Sequence, residues 1–176
     1  MKKLLIAASS VAVMSLFGAA SASAGDFLTA PGKYNAVGDL VLYQTIAGVS
    51  CRVTSVIEVN SSGDANFTNV AFAPGTTALC GSLINPITTT WRIHKISKGV
   101  DEGEIRLDVQ VQAGSGTCIG SLSPLTLYWG SKGPNRIEST TGSVPGLAGG
   151  APTPCYVGGT LSITPVAPTV GEFRMN

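Results

Sequence analysis

The stretch "VSCRVTSVIEV" (49–59) decides how the chain is read. Val49, Cys51, Val53, Ser55, Ile57 and Val59 fall on one side of an extended backbone. Ser50, Arg52, Thr54 and Glu58 fall on the other, with Val56 out of pattern. Alternation of period two, rich in β-branched residues, predicts a strand with one buried face. A cysteine therefore points into a core. A buried thiol, a nucleophile, a metal ligand and half of a disulfide all begin this way, and the compartment decides among them.

The N-terminus speaks to compartment. "MKK" is a positive leader, 4–20 is apolar, and "SASA" ends in Ala22-Ser23-Ala24. This predicts a secretory signal over 1–24, cut between Ala24 and Gly25, because its short, Ser-interrupted core is a poor membrane span. No cysteine follows the small residues, so a lipid anchor is not expected. The mature part, 25–176, is near the usual size of one domain. It has no later run apolar enough to make a transmembrane segment. The expected location is periplasmic or fully secreted.

Cys51, Cys80, Cys118 and Cys155 all lie in this mature part. An even count in an oxidising compartment reads as disulfides. Of three possible pairings the sequential one is preferred, Cys51–Cys80 with Cys118–Cys155. Zinc sites want closely spaced Cys or His pairs, and no two cysteines here are near neighbours. No metal and no cofactor are expected.

Without Lys2 and Lys3, nine basic residues face ten acidic ones. No basic stripe for nucleic acid results. Abundant Gly, Pro, Ser and Thr with regularly spaced apolar residues suit many short strands joined by turns. The fold class is all-β: one antiparallel β-sandwich or barrel-like domain of about 8–10 short strands. "DLVLYQT" (39–45), apolar on both faces, suits an inner strand. "NSSGD" (60–64) turns 49–59 back onto "ANFTNVAFA" (65–73), where a phase change predicts a bulge near Thr68. "TTWRIHKIS" (89–97) and "EIRLDVQVQA" (104–113) form the clearest hairpin, burying Ile105, Leu107, Val109 and Val111. "PLTLYWG" (124–130) and "TLSIT" (160–164) follow as strands. The span 130–159 reads as loop-rich, with a short strand over 136–140 and a long loop over 142–154.

Catalytic patterns fail on context. "GTCIG" (116–120) has the spacing of a nucleophile elbow, but "SLSP" follows instead of a helix, so Cys118 reads as a disulfide cysteine in a Gly turn. "GSGTCIG" lacks the spacing of a phosphate loop. His94, the one histidine, falls on the outward side of its strand. "DEGE" (101–104) offers Asp101, Glu102 and Glu104, too few ordered oxygens for calcium, and reads as a charged hairpin tip. Asn60 and Asn66 head glycosylation-type triplets, which mean little behind a bacterial-looking signal. Trp91, Trp129, Tyr128 and Tyr156 are either core or exposed contact residues. No catalytic residues are expected, and the chain reads as a binding, surface or matrix component.

The landmarks "GVSCRVTSVIEVNSSGDANFTNVAF", "ALCG", "TTTWRI", "GSGTC" and "PCYVGGTLSIT" resemble, in order, the PraB-like family of alkane-oxidation protein activators. The resemblance spans roughly 26–164, with Thr90 where the family pattern has Pro before the first Trp. It implies a small secreted bacterial protein with an accessory, non-enzymatic role in growth on hydrophobic substrates, and it implies no catalytic residues. Two partners follow as expectations. One is a hydrophobic substrate or cell surface. The other is self-association in a fibre or biofilm matrix, or an adhesin's contact, with "GDFLTAPGKYNAVGDLVLYQ" (25–44) as a donor strand.

Overall fold

A computed structural model describes residues 26–27, 31–44, 48–76 and 78–176, without the side chain of Thr141. The expected signal segment, 1–24, lies outside them.

Strand β1 (Gly32–Tyr43) pairs antiparallel with β2 (Val49–Val59) on one edge and β11 (Cys155–Val166) on the other. From β2 the sheet continues through β3 (Ala65–Pro74), β5 (Trp91–Lys98), β6 (Glu102–Ala113) and β7 (Gly116–Tyr128). β8 (Arg136–Val144) joins β7 to β11 and closes an eight-stranded antiparallel barrel. Three short strands decorate it: β4 (Ile84–Pro86) on β6, and β9 (Gly146–Ala148) with β10 (Ala151–Pro152) on β7. Among the described residues the one helical piece is a 3-10 turn, Gly130–Lys132. Of the two architectures the sequence allowed, the chain adopts the barrel.

Alternation decides inside from outside. Ile57, Phe67, Ile93, Ile105, Leu107, Leu127 and Ile163 are buried in the barrel, which at eight strands is just wide enough to be filled by side chains. Lys33, Asp39, Arg52, Arg92 and Arg106 stand outside. This pattern is the reverse of a lipid-spanning barrel, whose outer band is apolar. No helix among the described residues is long and apolar enough to cross a membrane.

The expected bulge is present: opposite Ser55, β3 inserts Asn69 and Val70 between the pairs Thr54↔Ala71 and Val56↔Thr68. Asn69 takes φ 54° there. The inward Ser55 hydroxyl is satisfied by donating to the Thr68 carbonyl at 2.8 Å. In the turn after β2, Asn60 Oδ1 accepts from the amides of Ser62 and Asp64.

Three expectations are corrected. The span 130–159 holds the strand expected over 136–140, lengthened into β8, but carries β9, β10 and the start of β11 where a long loop was expected over 142–154. Its strands are built from small residues, so β-pairing is not announced by alternating large apolar side chains. Cys118 lies within the thirteen-residue β7, and the turn before that strand falls at Gly114, with φ 58°. Finally, residues 32–43 are not free to act as a donor strand, because both edges of β1 are paired within their own barrel.

One end of the barrel is plugged. Phe27, Phe173 and Met175 are buried there. The Phe27 and Phe173 rings stack at 4.8 Å between centroids. Asn135 holds the plug from both sides, donating to the Phe173 carbonyl at 2.9 Å and accepting from its amide at 3.0 Å.

Candidate functional site

The opposite end, where Tyr43, Pro74, Ala113 and Cys155 sit, is flared. β5 pairs with β3 only over Ala65–Phe67, leaving the later part of β3 to run on without it. On the other side, Thr117 and Cys118 of β7 pair with β9 and not with β8. A disulfide spans each parted seam. Cys51 joins Cys80, tying β2 to the segment before β4 with the Cα atoms 5.3 Å apart. Cys118 joins Cys155, tying β7 to β11 across the end of β8 at 6.0 Å. All four half-cystines are buried.

The flare leaves a mouth cavity of about 230 Å³, lined by Leu42, Val49, Ile84, Ala113, Ala148 and the Cys118–Cys155 bridge, among others. Behind it lies a chamber of about 40 Å³ bounded by apolar residues, including Leu40, Phe72, Trp91, Val109 and Val157. Leu42, Cys118 and Cys155 line both spaces and form the partition between them. The Gln44 amide at the rim is engaged, donating to the carbonyls of Leu147 at 3.1 Å, Thr153 at 3.3 Å and Thr117 at 3.4 Å.

Among the described residues, charge is absent from this end. The stretches 40–51, 70–91, 109–121 and 139–159, which supply the strand ends at the mouth, contain no Asp, Glu, Lys or Arg. Six large apolar side chains on these stretches are exposed: Tyr43, Leu79, Ile87, Ile119, Leu147 and Tyr156, each between 47% and 55%. Tyr43 and Tyr156 face one another across the β1–β11 pair. Isolated surface apolar residues are ordinary, but a cluster of them on an uncharged end marks an interaction surface. Ile96, Val100 and Val170 are also exposed, outside these stretches.

The groups weighed for chemistry lie elsewhere. His94 Nε2 is 2.7 Å from Asp108 Oδ2, and the Ser121 hydroxyl donates to Asp108 Oδ1 at 2.9 Å. The carboxylate thus sits between hydroxyl and imidazole, whereas a nucleophilic triad needs the hydroxyl on the imidazole. Burial works to raise the Asp108 pKa, but the bonds from His94 and Ser121 outweigh it and hold the carboxyl below its ordinary value. Asp101 accepts from the Ser131 hydroxyl at 2.6 Å and the Ser131 amide at 3.0 Å, bonds that lower its pKa and anchor the 3-10 turn. Lys132 pairs with Glu102 at 3.6 Å. The "DEGE" carboxylates at 101 and 102 are therefore occupied as structural anchors. Among the described residues no group of three or more His, Cys, Asp or Glu could hold a metal. Trp91 and Trp129 are core residues, Tyr128 lies under the Arg136 guanidinium at 4.1 Å, and Tyr156 alone of the four is half exposed on the rim.

Sequence reasoning named several residues of this end, among them Val49, the four cysteines and Tyr156, but missed the mouth as a unit. Its walls come from strands far apart in the chain. The signal that marks it is the spacing of charged residues, with long uncharged gaps that converge only when the barrel closes.

The fold and this end together define a class: a disulfide-stapled eight-stranded β-barrel with a charged body and an uncharged, apolar mouth. The chain belongs to the PraA/PraB-like family of alkane oxidation protein activators, whose family model matches residues 1–170. No curated protein and no solved structure matches it.

Proposed function

We propose that the protein is an exported, non-enzymatic accessory factor of alkane oxidation that works by adsorbing to hydrophobic surfaces through the mouth of its barrel. A signal peptide removed after Ala24 delivers it to the periplasm or beyond. The observation that carries this reading is the segregation of charge: the mouth stretches carry none, while six exposed large apolar side chains lie on them. Placing such an end against hydrocarbon removes apolar area from water at about 25 cal/mol per Å² and strips no ion of its hydration. The charged outer faces stay in water. Family membership supports the substrate class, because an activator of alkane oxidation has a poorly soluble hydrocarbon to bring within reach.

The test is adsorption of the mature protein to hexadecane droplets, read with pendant-drop tension. The native protein is expected to bind and to lower the tension. The triple variant Leu79→Lys, Leu147→Lys, Tyr156→Lys is expected to lose both while keeping its unfolding midpoint. The control pair Val100→Lys, Val170→Lys, outside the mouth stretches, is expected to keep both. Equal loss in variant and control would sink the proposal.

A further inference from the structure

We infer that the mouth cavity is a binding site for the end of one unbranched, uncharged aliphatic chain, threaded toward Trp91 past the partition formed by Leu42 and the Cys118–Cys155 bridge. The inference rests on the surface reading above only for how the chain end arrives.

Three observations carry it. The first is size. The mouth holds about 230 Å³. An apolar cavity of roughly 150 Å³ stays dry and takes up benzene, whereas drug-sized ligands need about 300 Å³ or more. A short run of methylenes fits, and the rest of a longer chain would lie outside, along the uncharged rim. The second is chemistry. No charged residue lines the mouth, and the Gln44 amide is already given to three backbone carbonyls. A carboxylate or ammonium head would find no counter-charge inside, and burying an unpaired ion is costly. This selects hydrocarbon over a fatty acid's head. The third is direction. The chamber behind the partition is walled by apolar side chains, so a chain end that displaces Leu42 meets a continuing apolar path. The chamber holds only about 40 Å³, room for a chain end but not for a caged hydrocarbon of equal apolarity.

Trp91 bounds the chamber, and Trp129, the second of the two tryptophans, does not. With Trp129→Phe as background, Trp91 fluorescence is titrated with 1-bromooctane below its solubility, and separately with 1-bromoadamantane. Saturable quenching by bromooctane of at least twofold is expected, with little from bromoadamantane. The reciprocal Trp91→Phe protein should show no saturable quenching of Trp129. Filling the mouth with Ala113→Phe, or independently with Ala148→Phe, should weaken bromooctane quenching tenfold or more. Two positions are used so that a folding defect at one leaves the other to decide. Equal quenching by the caged bromide, or quenching unchanged in a folded filled variant, overturns the site. If the native protein fails to adsorb to droplets but Trp91 is still saturably quenched, the surface reading falls and this site stands.

Discussion

Gly38 shows how tightly one residue can fix the barrel. It sits where β1 passes β11, and a Cβ there would run into the Thr160 carbonyl oxygen and lie 3.0 Å from the Leu161 Cα. Backbone cannot swing away as a side chain can. Gly38→Ala should therefore cost about 1–3 kcal/mol, the usual range for overpacking, read as a lower urea midpoint with an unchanged slope. Asp101 makes a second residue-scale prediction. Its two bonds from Ser131 hold its pKa below the ordinary 3.8. A depressed folded-state pKa means the unfolded chain binds more protons in that interval. The stabilisation is whole above the ordinary value and is lost as pH falls through the folded one. Asp101→Asn should flatten that part of the acid limb when urea midpoints at pH 5 and pH 3 are compared. An identical pH dependence in the variant would refute the assignment.

At the scale of elements, legibility followed side-chain size. β2 and β6 declared themselves because large β-branched and aliphatic residues alternate with polar ones along them. The bulge at Asn69 was readable because Phe67 and Val70 are both buried yet lie an odd step apart. β8 and β11 were readable only in part, over 136–140 and 160–164, because their remaining lengths hold small residues such as Ser139, Gly158 and Gly159. Ser139 is buried and donates to the Val157 carbonyl at 2.6 Å. At Gly159 the φ of 136° accompanies a break in register with β8. Small residues there permit close backbone approach, and they also erase the alternation that pattern reading depends on. The disulfides sit at the opposite extreme, legible as a cysteine count but not as staples of one flared end. Removing one tests that placement. Cys118→Ala should cost about 2–5 kcal/mol and leave Cys155 unpaired. Limited proteolysis of this variant should cut first within 145–154, beside the released seam. First cleavage at the plugged end would contradict the placement.

For the whole molecule, the consequence of segregated charge is a response to salt. Adsorption driven by ions weakens when the screening length shrinks to roughly 3 Å at 1 M salt. A mouth without ions has nothing to screen, so droplet binding in about 1 M NaCl should equal or exceed that in dilute buffer. A steep fall with salt would point to the charged outer faces as the adhesive surface.

Closure of the ring also sets an order of events. Tyr43 near the start of the barrel finds its partner, Tyr156, only in the final strand. A chain delivered from its N-terminus must therefore hold one edge of β1 open until nearly all of it has emerged, and such non-local pairings form slowly. Throughout that interval the mouth does not exist, since its walls meet only when the last strand docks. Until then the open edge of β1 and the uncovered apolar inner faces are free to pair wrongly, so any chain halted before Cys155 is a different substance from the finished protein.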